Sequence, residues 1–134
     1  MKVVLDTNVI IAAFATRGLC ADIMEYCLYE NILILSDNIL HEVKTNLCRK
    51  IKVPEHKTEE IISLLRMHAK IVKPAHISSN ACRDKDDLMV LGTGVAARAN
   101  IIVTGDKDLL ILKSHDFIPI VTPRDFWEYI RKTI

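Results

Sequence analysis

Five short runs constrain this chain most: residues 3–5, 32–35, 70–72, 101–104 and 118–121 are apolar and largely β-branched, without polar alternation. Strands written this way are buried on both faces. Between them lie segments with helical periodicity at residues 21–29, 38–50, 55–69, 86–99 and 123–132; in the second, Ile39, Val43 and Leu47 form one stripe. Alternating strands and helices predict an α/β chain, with a parallel sheet covered by helices on both sides. In 134 residues this is a single domain, 1–134, long enough to bury its own core. No apolar run approaches the ~18 residues of a membrane span and no charged-then-apolar leader precedes the first strand, so the cytoplasm is the expected compartment and no membrane partner is expected.

Ligands of such sheets bind beyond the carboxyl ends of the strands, and acids recur there. Asp6 follows the first strand, with Thr7 and Asn8. Ser36-Asp37-Asn38 follows the second, with Glu42 one turn into the next helix. Thr104-Gly105-Asp106-Lys107-Asp108 follows the fourth, and the helix feeding that strand opens with Asp84-Lys85-Asp86-Asp87. Each acid has an ordinary use: Asp6 and Asp37 as helix N-caps, Asp84 and Asp86 at a positive helix end, Asp106 and Asp108 in a turn. Their convergence is harder to explain that way. Carboxylates gathered in a cleft stay ionised only beside a compensating cation, and an all-oxygen set selects Mg²⁺ or Mn²⁺. Such ions activate water and stabilise charge on phosphoryl oxygens, which suggests phosphodiester hydrolysis.

Histidine and cysteine offer no competing site. The five histidines are scattered, and Cys20, Cys27, Cys48 and Cys82 form no C-x-x-C pair, so the cysteines are expected to be small buried hydrophobes. The net charge of +1 is uninformative, but its distribution is not. From Lys44 to Lys73 there are eight basic residues against three acids, and within this segment Arg49, Lys50 and Lys52 are candidates for contact with phosphates. No aromatic lies there, so base stacking is not expected in that segment.

Three stretches taken together, 4–9, 36–43 and 83–91 followed by 99–110, resemble the PIN domain family over nearly the whole chain. The closest resemblance is to its small prokaryotic members, toxin components of toxin–antitoxin systems (VapC-like). The resemblance implies a three-layer α/β/α sandwich around a parallel sheet and a metal-dependent ribonuclease using Mg²⁺ or Mn²⁺. It assigns catalytic and metal-binding roles to Asp6, Glu42, Asp87 and Asp106. Asp84, Asp86 and Asp87 all stand near the third position; spacing favours Asp87, directly before the apolar run. Asp84, Asp108 and Thr104 are expected in support, with Asn8 orienting Asp6 through its side-chain amide. The implied partners are an RNA substrate, an antitoxin protein and a second copy in a homodimer. Ile61, Ile62, Leu64, Leu65 and Met67 are more apolar residues than one buried stripe needs, and offer a surface for a partner.

Gly92-Thr93-Gly94 departs from the family's helix-forming residues. Each glycine costs ~1 kcal/mol against alanine in a helix, which close approach of another backbone would justify. Two alternatives remain: a non-catalytic PIN module that binds RNA or protein, and a phosphatase resembling the HAD family with Asp6 as nucleophile. The second would have Asn8 in place of its acid and no role for Glu42.

Overall fold

A computed structural model describes residues 1–133. Its elements run β1 (Val3–Leu5), α1 (Thr7–Ala15), α2 (Leu19–Tyr29), β2 (Leu33–Leu35), α3 (Asp37–Arg49), α4 (Glu55–His68) and β3 (Lys70–Ile71). They continue with α5 (Lys85–Ala97), β4 (Ile101–Val103), α6 (Lys107–Leu110), β5 (Ser114–His115), β6 (Ile118–Val121) and α7 (Pro123–Thr133). The strands form one sheet in the order β3-β2-β1-β4-β6-β5. β1, β2 and β4 are buried throughout, as their uninterrupted apolar sequences require. The five expected strands pair in parallel. The sheet departs from the expected all-parallel form at one edge, where β5 pairs antiparallel with β6. β5 has two residues, both polar, and no periodicity by which to recognise it. Its hairpin turns at Asp116 and Phe117, both at positive φ (51° and 66°), the mirror-image turn that fits strand twist.

The crossovers set the layers. Strand order steps from β1 to β2 to β3 in one direction and returns to β4 in the other, so right-handed connections put α1–α4 on one face and α5 on the other. Accordingly α1 packs on α2 and α3, α3 on α4 and α2 on α7, while α5 lies on β1 and β2. This is the expected α/β/α sandwich. Phe126 from α7 and Leu5, Leu35, Ile102 and Leu91 are among the fully buried core side chains. Only Cys27 among the four cysteines is fully buried; Cys20, Cys48 and Cys82 are half-exposed free thiols, contrary to the expectation of four core residues.

The two glycines of α5 are explained by contact. A Cβ on Gly92 would stand 2.4 Å from the Ala75 carbonyl oxygen, and one on Gly94 would stand 2.9 Å from Ile102 Cδ1. The Gly92 carbonyl accepts the Ala75 N–H at 2.9 Å, so a passing strand of backbone is bonded directly to the helix. Between them, the Thr93 hydroxyl donates to the Met89 carbonyl at 2.7 Å and lies 3.0 Å from Ser36 Oγ. Helix propensity alone predicts that Gly92→Ala stabilises the protein by ~1 kcal/mol. The contact with Ala75 predicts the reverse: a loss of about 1–3 kcal/mol in urea denaturation, as for other overpacked sites.

Candidate metal centre

The acids collect at the carboxyl edge because each follows a strand or opens a helix there. Asp6 is the residue after β1 and the N-cap of α1, accepting the Thr7 N–H at 2.7 Å. Its second oxygen, Oδ2, accepts the Thr104 hydroxyl at 2.7 Å. Thr104 follows β4, the strand paired with β1, and its Oγ1 accepts the Asp106 N–H at 3.0 Å. One buried hydroxyl therefore sets both Asp6 and the loop carrying Asp106. Asp106 caps α6 and accepts the Asp108 N–H at 2.8 Å. Asp84 caps α5, accepting the Asp86 N–H at 2.8 Å, and the first turn of that helix carries Asp86 and Asp87.

Asp87, Asp106 and Asp108 each offer a carboxylate oxygen to one cluster, with those atoms all within 4.8 Å of one another. Asp87 is only 4% exposed. Its Oδ2 is the one buried side-chain oxygen or nitrogen without a hydrogen-bond partner among the described residues. Burial pushes its carboxyl up to about 7, and the charges of Asp106 and Asp84, a side-chain hydrogen bond shared with Asp106 and the charge of Asp6 add to the rise. Asp6 is raised as well, by burial first, with its two hydrogen bonds opposing and Asp106 and Asp84 reinforcing. Glu42, on α3, is pushed up to about 7, chiefly by burial, with Thr7 opposing and Asp86 and Asp6 reinforcing. Of the three neighbours, Asp87 contributes an oxygen to the cluster, Asp84 caps the helix from an exposed position, and exposed Asp86 faces Glu42. Glu42 and Asp86 also line a cleft of about 530 Å³ with Thr7, Asn38, His41 and Asn46.

Two expectations need correction. Asn8 is exposed, and the hydrogen bonds to Asp6 come from Thr7 and Thr104 instead. Asp37 is not the N-cap of α3; Ser36 is, accepting the Ile39 N–H at 3.3 Å, and Asp37 pairs with Arg66 at 2.8 Å. Arg49, Lys50 and Lys52 are exposed, at and just beyond the carboxyl-terminal end of α3. They stand two turns or more past Glu42, at least ~10 Å along the axis. A closer cation was passed over: Arg83, 91% exposed, reaches Asp108 at 3.7 Å. Cys82 was passed over too, and its thiol is raised by burial and by Asp87, Asp84, Asp106 and Asp108. Only the compact Cys-Arg-Asp string before α5 could have marked these two.

A PIN domain family model matches residues 2–108. The chain belongs to the PIN domain family. An uncharacterized protein of Methanocaldococcus jannaschii is 30% identical over 148 aligned residues, covering all of this PIN domain chain and 94% of the relative. In fold it is similar to the crystal structure of VapBC2 from Rickettsia felis bound to a DNA fragment from their promoter. There the TM-score is 0.63 at 14% identity, over 91% of this chain and 98% of that one. The match in fold extends past the residues of the family model, to most of the sheet and its covering helices.

The donor set fits a hard divalent cation: all oxygen, clustered, with one buried oxygen lacking any donor. Without a cation the cluster binds protons instead. Asp87 and Glu42 take up protons near 7 in the folded protein against 3.8 and 4.5 ordinarily, so the folded state binds more protons than the unfolded state across that interval. Stability of the metal-free protein then falls as pH rises from about 4 through 7. Thermal melts in chelator are expected to show a lower midpoint at pH 8 than at pH 5. Mn²⁺ should restore it at pH 8, and Asp87→Asn should flatten the slope. A midpoint that rises with pH in chelator would contradict this account.

Proposed function

We propose that this protein is a metal-dependent endoribonuclease that hydrolyses RNA phosphodiester bonds at the Asp6, Glu42, Asp87 and Asp106 site, with Mg²⁺ or Mn²⁺. The observation that carries this reading is the buried, donorless oxygen of Asp87 within a cluster of carboxylates. Placing it there costs about 1–3 kcal/mol or more when ionised, a cost that cation binding offsets. Family membership supports nuclease chemistry at these positions.

When bound, the cation supplies an activated water at neutral pH and stabilises charge on the phosphoryl oxygens. The chain's own residues do the rest. Asp87 and Asp106, with Asp108 beside them, would hold the cation, and Asp6, its position fixed by Thr7 and Thr104, would join them. Glu42 faces Asp86 in the cleft that Thr7, Asn38, His41 and Asn46 also line, beside the place of the cation. Arg83 is free to leave Asp108 for an arriving phosphate, since the pair is long and the guanidinium exposed. A strand leaving the cluster along α3 passes Arg49, Lys50 and Lys52, which add affinity without reading bases.

The fold likeness to VapBC2 supports a toxin role controlled by an antitoxin. The row of half-buried Ile61 and exposed Leu64 and Met67 on α4, beside buried Ile62 and Leu65, supports a homodimer or antitoxin contact. The reading places the protein in the cytoplasm, and no single helix among the described residues is long and apolar enough to cross a membrane.

Incubation with structured and single-stranded RNAs, with Mn²⁺ or with chelator, tests the activity. Cleavage should require the metal, and Asp6→Asn should fold normally while losing roughly 100-fold or more in rate. Full activity in that variant would remove Asp6 from the mechanism, and no cleavage of any RNA by the Mn²⁺-loaded protein would favour the non-catalytic module. Changing Lys50 and Lys52 together to Glu should weaken RNA binding and flatten the plot of log K against log salt by about 1.4, at ~0.7 per phosphate contact on a single strand. An unchanged slope would make these lysines ordinary surface.

A further inference from the structure

The chain has few aromatic residues: three tyrosines, one tryptophan and three phenylalanines. Yet Tyr26, Tyr29 and Trp127 line a single shallow pocket of about 490 Å³, together with Asp22 and Glu25. The remaining tyrosine, Tyr129, lies close enough to Tyr26 to influence its ionisation. Asp22, Glu25, Tyr26 and Tyr29 stand at i, i+3, i+4 and i+7 of α2, so they share one helical face. Trp127 comes from α7, which packs on α2. The pocket is remote from the acid cluster. Tyr29 ends α2, just before β2 begins, at the amino edge of the sheet, whereas Asp6, Asp87 and Asp106 gather at the carboxyl edge.

Core packing accounts for part of this arrangement. Tyr26 and Trp127 are half-buried against the core, but Tyr29 is 83% exposed. The α2 side of the face is acidic: residues 19–30 contain Asp22, Glu25 and Glu30 and no lysine or arginine, while α7 carries both signs, Asp125 and Glu128 with Arg124, Arg131 and Lys132. The nearby Glu128 of α7 is engaged by Arg131 at 3.5 Å. Aromatic faces carry negative potential and attract cations, and flanking carboxylates strengthen that preference. The same charges repel a phosphate backbone, so nucleic acid is the wrong occupant.

We propose that this pocket is a docking site for an arginine side chain carried on a segment of a partner protein. Arginine fits better than lysine because its planar guanidinium stacks on aromatic rings while forking onto a carboxylate. A side chain delivered by a polypeptide fits better than a free small cation because the pocket is too open to enclose one. Tyr29 would be buried only in the complex, as aromatic anchors at interfaces are.

Trp127 is the chain's only tryptophan, so intrinsic fluorescence reads the pocket directly. The probe is a capped Gly-Arg-Gly peptide, with its citrulline counterpart as an uncharged isostere. A single cation–π and carboxylate contact corresponds to millimolar binding at about 25 °C. We expect a saturable fluorescence change with the arginine peptide in that range and none with citrulline. Tyr29→Ala and Glu25→Gln should each weaken it about fivefold or more, and Asp106→Asn, at the far edge, should leave it unchanged. Equal response to both peptides, no saturation at tens of millimolar, or loss of response in Asp106→Asn would overturn the proposal. Sedimentation of the same variants covers the remaining occupant: if Tyr29→Ala and Glu25→Gln dissociate a self-assembled species, the pocket holds a second copy, and the proposal is overturned.

Discussion

The 2.7 Å hydrogen bond from the Thr104 hydroxyl to Asp6 joins residues 98 apart in the chain. The geometry of the acidic edge depends on it. β1 and β4 are paired through Leu5 and Val103, so the next residue of each strand emerges side by side. Both strands are buried to that point, and the first polar groups to appear are an acid on one and a hydroxyl on the other. By accepting the Asp106 N–H as well, Thr104 fixes where the β4 loop turns. A parallel sheet does not by itself converge carboxylates; a buried hydroxyl between two neighbouring strand ends does.

α5 is anchored with similar economy. Its first turn carries Asp87 into the cluster, and its middle is held by backbone contact at Gly92 and by the Thr93–Ser36 contact. Ser36 caps α3, the helix that carries Glu42. The two helices that bring acids from outside the central strands are therefore tied to each other behind the site. This answers the weakness implied by two glycines in one helix: local propensity is given up so that α5 can lie close to the 74–75 segment and β4. Fixed carboxylates are then held out of water beside one another, and burial first, with like charge second, raises Asp6, Glu42 and Asp87.

Much of this was legible in the sequence. The five parallel strands were marked by their largely apolar runs, and the acids Asp6 and Asp106 by standing within three residues of the ends of two of them. Where reading failed, angular position on a helix decided the outcome. Asp84, Asp86 and Asp87 lie within three residues of one another; spacing favours Asp87, and the start of α5 decides that it, and not exposed Asp86, contributes to the cluster. Asn8 was assigned to Asp6 on nearness in sequence, yet one step into α1 turned it to solvent. Arg49, Lys50 and Lys52 stand at and just beyond the end of α3, a separation from the acids along the helix that the sequence alone does not display. β5, α6 and the contact of Arg83 with Asp108 arise from tertiary placement, for which a single sequence holds no periodic signal.

The central claim is that Asp87 is buried without a donor because its partner is a divalent cation shared with Asp106. Crystals grown with Mn²⁺ and measured by anomalous diffraction at the manganese edge test it most directly. The account predicts a manganese peak within about 2–2.3 Å of carboxylate oxygens from both Asp87 and Asp106. A fully occupied crystal with no such peak, and Asp87 instead protonated and bonded to a neighbouring carboxylate, would contradict it.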